Sequence, residues 1–271
     1  MNTRLTLSAL VVALTVPFTA AAQPAVMVNF PPPPLPVYAQ PMVPGDDYIW
    51  TPGYWSWDTP TDDYYWVPGT WVLAPAYGQL WTPGYWAVTG SGYFWNAGYW
   101  GMGVGYYGGL NYGYGYTGIG YQGGRWEGSH FRYNAAASHI DRTATHNSYH
   151  TRVLNYAISG PASYSVTRPD SAPRPGRSAQ EAAGTAHRAP TTEQVQHEQA
   201  ALGTPTQRAW VPHGPPHVAA TVRPSAFTAP GTEHVRAEPA PRSHGPAPHE
   251  RPAARPEQAH GKASTELKPE R

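Results

Sequence analysis

Between residues 48 and 100 the chain alternates apolar and polar positions in short runs, and most of the apolar positions are Trp or Tyr. Polar or glycine-containing breaks at 58–63, 74–78 and 89–92 separate the runs. Alternation of period two between such breaks predicts short β-strands joined by tight turns. Within this stretch W-x-x-G-x-W occurs four times, as Trp50–Trp55, Trp66–Trp71, Trp81–Trp86 and Trp95–Trp100. Three copies carry Pro-Gly at the centre (Pro52-Gly53, Pro68-Gly69, Pro83-Gly84), and the fourth has Ala97-Gly98. Pro presets the first central torsion of a type II turn and Gly supplies the positive φ of the second. Pro52, Gly53, Pro68, Gly69, Pro83, Gly84 and Gly98 therefore read as structural turn residues.

If each Pro-Gly closes a two-residue hairpin, the two Trp of one copy face each other across the strands. An L-Pro type II turn, however, splays right-twisted strands. The other arrangement is a longer strand bent at Pro-Gly, with reversals only at the polar breaks. The pattern favours a meander of short strands and leaves this choice open. The predicted fold class is mostly β: a small aromatic-rich β-meander built from Trp-x-Pro-Gly-x-Trp turn repeats, followed by a long disordered tail.

The flanking segments divide the chain further. Residues 1–22 read as a signal peptide, with Arg4 ahead of an apolar run at 5–18 and Ala20-Ala21-Ala22 as the cleavage pattern, so the mature chain begins at Gln23. The run is too short to span a bilayer, and no transmembrane segment is expected after cleavage. Residues 23–47 form a proline-rich linker that favours extended polyproline II. Residues 101–133 form a Gly/Tyr-rich β region. There Tyr112-Gly113-Tyr114-Gly115-Tyr116 would place three Tyr on one face of a strand, and 123–133 reads as a hairpin turning near Gly128. Residues 134–158 are a polar connector. Residues 159–271, with 18 Pro in 113 positions, read as a disordered Pro/Ala/His/Arg tail. A short helix at 192–202 is the exception, signalled by a capping box from Thr191 to Gln194 and by Gly203 at its end.

Charge changes the picture in one respect. Residues 23–129 carry one basic residue, Arg125, against six acidic ones, whereas residues 130–271 carry 16 Lys/Arg, 11 Asp/Glu and all 12 His. The aromatic part is acidic and lacks cations between its stacking faces, so nucleic acid is not an expected partner. Solvated tail histidines would titrate near the ordinary value of about 6.5. With no Cys, disulfides, thiolate metal sites and cysteine nucleophiles are excluded.

Candidate chemistry is thin. Asp46/Asp47 and Asp62/Asp63 sit in turn-like stretches and read as solvated loop residues, not as an acid–base pair. No nucleophile-elbow, zincin, phosphate-loop or calcium-loop motif is present. His213/His217, His244/His249 and His146/His150 offer paired imidazoles without a closed four-ligand set, which leaves weak metal capture or a pH response as a minor reading. No catalytic residue, resident metal or cofactor is expected. The remaining candidates are Trp50, Trp55, Trp66, Trp71, Trp81, Trp86, Trp95 and Trp100, either as the core of a small β domain or, where exposed, as stacking platforms for sugar rings.

Four W-x-x-G-x-W copies with Pro-Gly inside, the Gly/Tyr block at 105–116, and the stretches at 124–128 and 131–134 resemble the bacterial YXWGXW (WXXGXW) repeat-containing proteins, and 219–227 resembles a tail segment of that family. The resemblance implies an exported envelope protein without an assigned activity. The expected function is that of a non-enzymatic structural or interaction module of the cell envelope, periplasmic or extracellular. Envelope proteins or cell-wall polysaccharide are its expected partners, and the oligomeric state is open. The alternative is glycan or peptidoglycan binding through exposed Trp and Tyr.

Overall fold

The computed structural model describes residues 26–141, 145, 147–157, 163–165, 174–209, 215–224, 227 and 232–234. The signal-peptide reading, His146, His213, His244 and His249 lie outside them. The fold is mostly β, in several small sheets.

After a two-residue strand, β1 (Met27–Val28), the repeats form two long hairpins. The first contains β2 (Tyr48–Thr51), β3 (Tyr54–Asp58), β4 (Asp63–Val67) and β5 (Gly69–Leu73). The second contains β6 (Leu80–Thr82), β7 (Tyr85–Thr89), β8 (Gly92–Asn96) and β9 (Tyr99–Gly101). In the first, β3 pairs with β4 and β2 with β5; in the second, β7 pairs with β8 and β6 with β9, all antiparallel. The chain reverses at the polar breaks, where Asp58 faces Asp63 and Thr89 faces Gly92. Asp62 (φ 50°) and Gly92 (φ 136°) take the left-handed torsions these reversals need.

Pro-Gly therefore bends a continuing strand and does not reverse it. This settles the open choice against Pro-Gly hairpins and corrects the type II turn reading. None of Gly53, Gly69, Gly84 and Gly98 has a positive φ. A Pro interrupts the ladder because it has no N–H to donate, and each hairpin loses its ladder at the bend in both strands at once.

Downstream, β10 (Asn111–Gly113) and β11 (Tyr116–Thr117) pair only with each other. Gly113, Tyr114 and Gly115 all have positive φ (74°, 49° and 97°), so Tyr112 and Tyr116 flank a tight turn and do not share one strand with Tyr114. This corrects the single Gly/Tyr strand: glycines at alternate positions make left-handed torsions cheap, and the chain turns there. β12 (Gly124–Glu127) and β13 (His130–Asn134) form the predicted hairpin, with Gly128 at φ 64°. β14 (Ser148–Tyr149) adds in parallel to β13.

The segments read as linker and disordered tail are partly built into the fold. β15 (Tyr164–Ser165) pairs in parallel with β7, and β1 pairs with β8, so the second hairpin gains a strand on each edge. Two helices follow, α1 (Arg177–Gly184) and α2 (Thr192–Leu202), the second with both halves of the predicted capping box made by Thr191 and Gln194. β16 (Val218–Thr221) then pairs in parallel with β5, and β17 (Glu233–His234) with β16. Composition argues for disorder because few large aliphatics are present. The ordered tail residues instead bury small or amide side chains, among them Ala201, Gln207, Ala219 and Ala220. Both sides of the Gln207 amide are used: it donates to the carbonyls of Trp66 (3.3 Å) and Val218 (2.8 Å) and accepts from Val218 N–H (2.9 Å). Residues 237–271 lie outside the described part.

Candidate functional site

Each Trp pair is formed between two motifs, not within one. Trp50 lies opposite Trp71 and Trp55 opposite Trp66; Trp81 lies opposite Trp100 and Trp86 opposite Trp95. Ring centroids in these pairs are 5.2, 5.3, 5.3 and 5.4 Å apart, edge-on or tilted, a range in which aromatic pairs add about 0.5–1.5 kcal/mol beyond area burial.

The same geometry explains the glycine. A Cβ placed on Gly53 would sit 2.3 Å from Trp66 Cζ2, and one on Gly69 2.6 Å from Trp50 Cζ2. In the second hairpin a Cβ on Gly84 would sit 2.5 Å from Trp95 Cζ2, and one on Gly98 2.4 Å from Trp81 Cζ2. The first Trp of every motif thus rests on the glycine of its partner motif. Backbone closes in as well: the same Cβ on Gly53 would lie 2.8 Å from the Gly69 nitrogen and the Val67 carbonyl oxygen. W-x-x-G-x-W is a cross-strand lock that works only when two copies face each other. The sequence does not signal this pairing by itself, because breaks at 58–63, 74–78 and 89–92 separate all four motifs alike.

All the predicted Trp sites except Trp95 are buried, and Trp95 is half-buried, stacked on Tyr54 at 5.2 Å. Five of their indole N–H groups donate into the protein, whereas the buried Trp50 N–H has no partner. Trp55 donates to the Pro34 carbonyl (3.1 Å), Trp71 to Pro41 (2.9 Å), Trp66 to Ala219 (3.0 Å), Trp86 to Trp55 (2.8 Å), and Trp100 to Gln194 Oε1 (2.8 Å). Four of these acceptors lie in the linker and the tail, which explains why those segments are held. Burial leaves no face for a sugar at Trp50, Trp55, Trp66, Trp71, Trp81, Trp86 and Trp100, so the stacking-platform reading does not hold at these seven positions. The Gly/Tyr block closes the core from the other side. The Tyr116 hydroxyl lies 2.9 Å from the Trp81 carbonyl oxygen and 3.3 Å from that of Trp50, equivalent positions in the two hairpins. Burial holds the Tyr107, Tyr112 and Tyr116 phenols well above their ordinary pKa.

Residues of both bends lie beside Gln194, His197 and Glu198 of α2, but the two part company at the third position of their second motifs, Pro68 and Ala97. α2 covers the bend of the first hairpin: His197 Nε2 donates to the Pro68 carbonyl (2.9 Å), and Glu198 Oε1 accepts from Ser56 Oγ (2.9 Å) and the Tyr65 hydroxyl (3.3 Å). His197 is 2% exposed, and desolvation lowers its pKa to about 4 against the partial opposing effect of its bond to Pro68. The expectation of ordinary titration fails at this tail histidine. Arg208 bridges to the first reversal, 2.9 Å from Asp58 Oδ2 and 2.7 Å from Thr61 Oγ1.

The bend of the second hairpin instead lines a cleft of about 570 Å³, together with residues of the 99–106 segment and the tail. Tyr85 and Tyr106 meet edge to face at 5.4 Å, Arg174 lies over the Tyr106 ring at 5.5 Å, and His187 stacks on Tyr99 at 4.1 Å. Asn96, Gln180 and Ser165 add amide and hydroxyl groups to the lining. Burial, helped by the neighbouring Tyr106 and opposed by Arg174, pushes the Tyr85 phenol up to about 12. Sequence reasoning missed this site because its residues come from segments far apart in the chain, and of them only Pro83 was singled out, as a turn residue.

Among the described residues no three His, Asp or Glu gather into a metal-holding group, and no helix is long and apolar enough to cross a membrane. No curated protein and no solved structure matches the chain. A family model does match, at residues 45–72 and 77–100, each span taking in one hairpin's two facing motifs. The chain thus carries two copies of the WXXGXW repeat, and the structure gives each copy a physical meaning as one bent, Trp-locked hairpin.

Proposed function

We propose that this chain is a non-enzymatic, exported repeat protein that serves as a structural or interaction module of the bacterial cell envelope, periplasmic or extracellular. The observation that carries the reading is the buried Trp lock. A chain without Cys, sent to an oxidising compartment, needs another source of rigidity, and reciprocal Trp-on-Gly packing supplies one that neither reduction nor oxidation of thiols can affect. The linker and tail carbonyls that receive the indole N–H groups tie both flanks to that core. Such a body is suited to presenting a surface, and envelope proteins or cell-wall polysaccharide are the partners in keeping with export.

Expression of the full chain in a Gram-negative host, followed by fractionation and N-terminal sequencing, tests the export step. The expected outcome is a mature protein beginning at Gln23 outside the cytoplasm. Retention of residues 1–22 on a cytoplasmic product would overturn it.

A further inference from the structure

We propose that Tyr54, with Trp95 stacked on it and Glu198 as its proton acceptor, is a redox-active tyrosine through which the protein takes up oxidation by one-electron oxidants of the organic peroxyl radical class. This goes beyond the envelope reading and does not depend on where the protein resides. The first feature that carries it is where phenolic protons can go. A phenol that loses an electron becomes strongly acidic, so a tyrosine is oxidised readily only where a base within hydrogen-bond reach receives its proton. Tyr64, Tyr107, Tyr112, Tyr116 and Tyr133 donate to backbone carbonyls, which do not act as bases. Glu198 Oε1 instead accepts from the Tyr65 hydroxyl (3.3 Å) and Ser56 Oγ (2.9 Å), and Tyr54 bonds to the same carboxylate. Among the described residues no salt bridge occupies Glu198. Burial first, and then the charge of Glu198 and its hydrogen bond, hold the Tyr54 phenol well above its ordinary pKa, so it keeps its proton until the electron leaves.

The second feature is the route an electron takes. Trp95 stacks on Tyr54 with ring centroids 5.2 Å apart and planes inclined by 21°. It is the motif Trp that an oxidant can reach, since it is half-buried and the other seven are buried. From Trp95 the rings continue to Trp86 (5.4 Å), Tyr64 (5.3 Å) and Trp57 (4.9 Å), the last again half-buried. Rings that lose an electron singly thus run between the two hairpins, and Tyr64, bonded to the Phe30 carbonyl, cannot shed its proton and hold the radical on the way. A peroxyl radical takes one electron from Trp95 and leaves as the peroxide anion, which water protonates. The Trp95 radical cation takes one electron from Tyr54, and the phenolic proton passes to Glu198. The products are neutral Trp95, a neutral Tyr54 phenoxyl radical and a protonated Glu198.

The test is laser-flash oxidation of the mature full-length protein by photogenerated tris(bipyridine)ruthenium(III), with indole and phenoxyl radicals followed by transient absorption. The expected result is an indole radical whose decay matches the growth of a phenoxyl radical, both slowed in heavy water because a proton moves with the electron. Glu198→Gln leaves an oxygen for the hydroxyls to bond but takes up no proton, and should slow the transfer by about tenfold or more. Tyr54→Phe and Trp95→Phe should each remove the matched phase, and Tyr107→Phe should keep it. Tyr54→Phe and Glu198→Gln keep the ring and the side-chain length in place, and melting curves run alongside show that the fold persists. An indole radical that decays without phenoxyl growth in the native protein would overturn the proposal. So would an unchanged rate in Glu198→Gln, or loss of the phase in Tyr65→Phe but not in Tyr54→Phe.

Discussion

The two hairpins share their lock and differ in what covers it. In the first, residues 48–73, the bend is roofed by α2 and the edge of β5 is taken by β16. In the second, residues 80–101, β1 and β15 take the edges of the β7–β8 half, while the bend faces the cleft. Equivalent positions show the divergence. Pro68 of the first hairpin receives a hydrogen bond from His197, whereas its counterpart Ala97 is exposed and lines the cleft. Likewise Trp66 is 1% exposed and its N–H bonds to Ala219, while its counterpart Trp95 is half-buried. The lock is thus a property of the repeat. The surroundings that turn one copy into scaffold and the other into a candidate site are supplied by chain far away in sequence.

The largest effect that separates the copies should come from their counterpart indoles. Trp66→Ala removes a buried ring together with a satisfied N–H and should destabilise the protein by about 3–5 kcal/mol. Trp95→Ala, at a half-buried site, should lose clearly less. Urea denaturation of the two variants measures the difference, and equal losses would show that the surroundings of the two hairpins do not matter to stability. Next comes the glycine that the lock requires. Gly53→Val would drive its side chain into Trp66 and into the backbone of β4 and β5, with an expected loss of about 3 kcal/mol. Gly84→Val should behave alike if the lock is common to both copies. At Gly90, in the second reversal, nothing lies within 4 Å of an added Cβ, and Gly90→Ala should be nearly silent. A tolerated Gly53→Val would refute the Trp-on-Gly contact.

A third measurement addresses the roof of the first hairpin alone. His197 has its pKa lowered to about 4 by burial, below the roughly 6.5 of an unfolded histidine. Between these values the unfolded chain binds more protons than the folded one, so stability rises with pH there. The contribution is fully present above about pH 6.5, falls by about 2 kcal/mol at pH 5, and is lost as pH drops through 4. Denaturation midpoints from pH 7.5 to 4 should therefore fall in the native protein and fall less in His197→Gln. If the two curves run parallel, the acid response arises elsewhere. Hydrogen exchange at pH 5 should localise the loosening to α2 and leave the second hairpin protected.

How much of this was legible depends on whether the signal is local. Strand positions, the reversals at 58–63 and 89–92, the Gly128 hairpin and the helix at 192–202 follow from alternation, turn residues and a capping box, all readable within a few residues. Which Trp faces which was not, because a Pro-Gly hairpin and a Pro-Gly bend satisfy the same local pattern. What decides is an indole on a glycine of another strand, as with Trp66 on Gly53. The order in the tail was hidden for a related reason. Ala219 and Ala220 carry little hydrophobic signal, yet Ala220 lies opposite Gly69, where the β5 backbone has no side chain of its own to offer. Likewise His197 and Gln207 read as solvated polar residues until Pro68 and Val218 are placed beside them.

The smallest effect bears on the one position where the repeats themselves depart from each other. Ala97→Pro would give the fourth motif the Pro-Gly centre of the other three. Asn96, the residue before it, is in strand β8, the extended conformation that a following Pro demands. The register supports equivalence: Thr51 faces Thr70 and Tyr54 faces Val67 around the first bend, as Thr82 faces Tyr99 and Tyr85 faces Asn96 around the second. Since Pro68 occupies the matching place without loss of the lock, the new Pro should be accommodated and should stabilise the protein by about 0.4–1 kcal/mol by restricting the unfolded chain. A loss of stability greater than about 1 kcal/mol would instead mean that the Ala97 N–H makes a needed bond, and that the second bend is not a copy of the first.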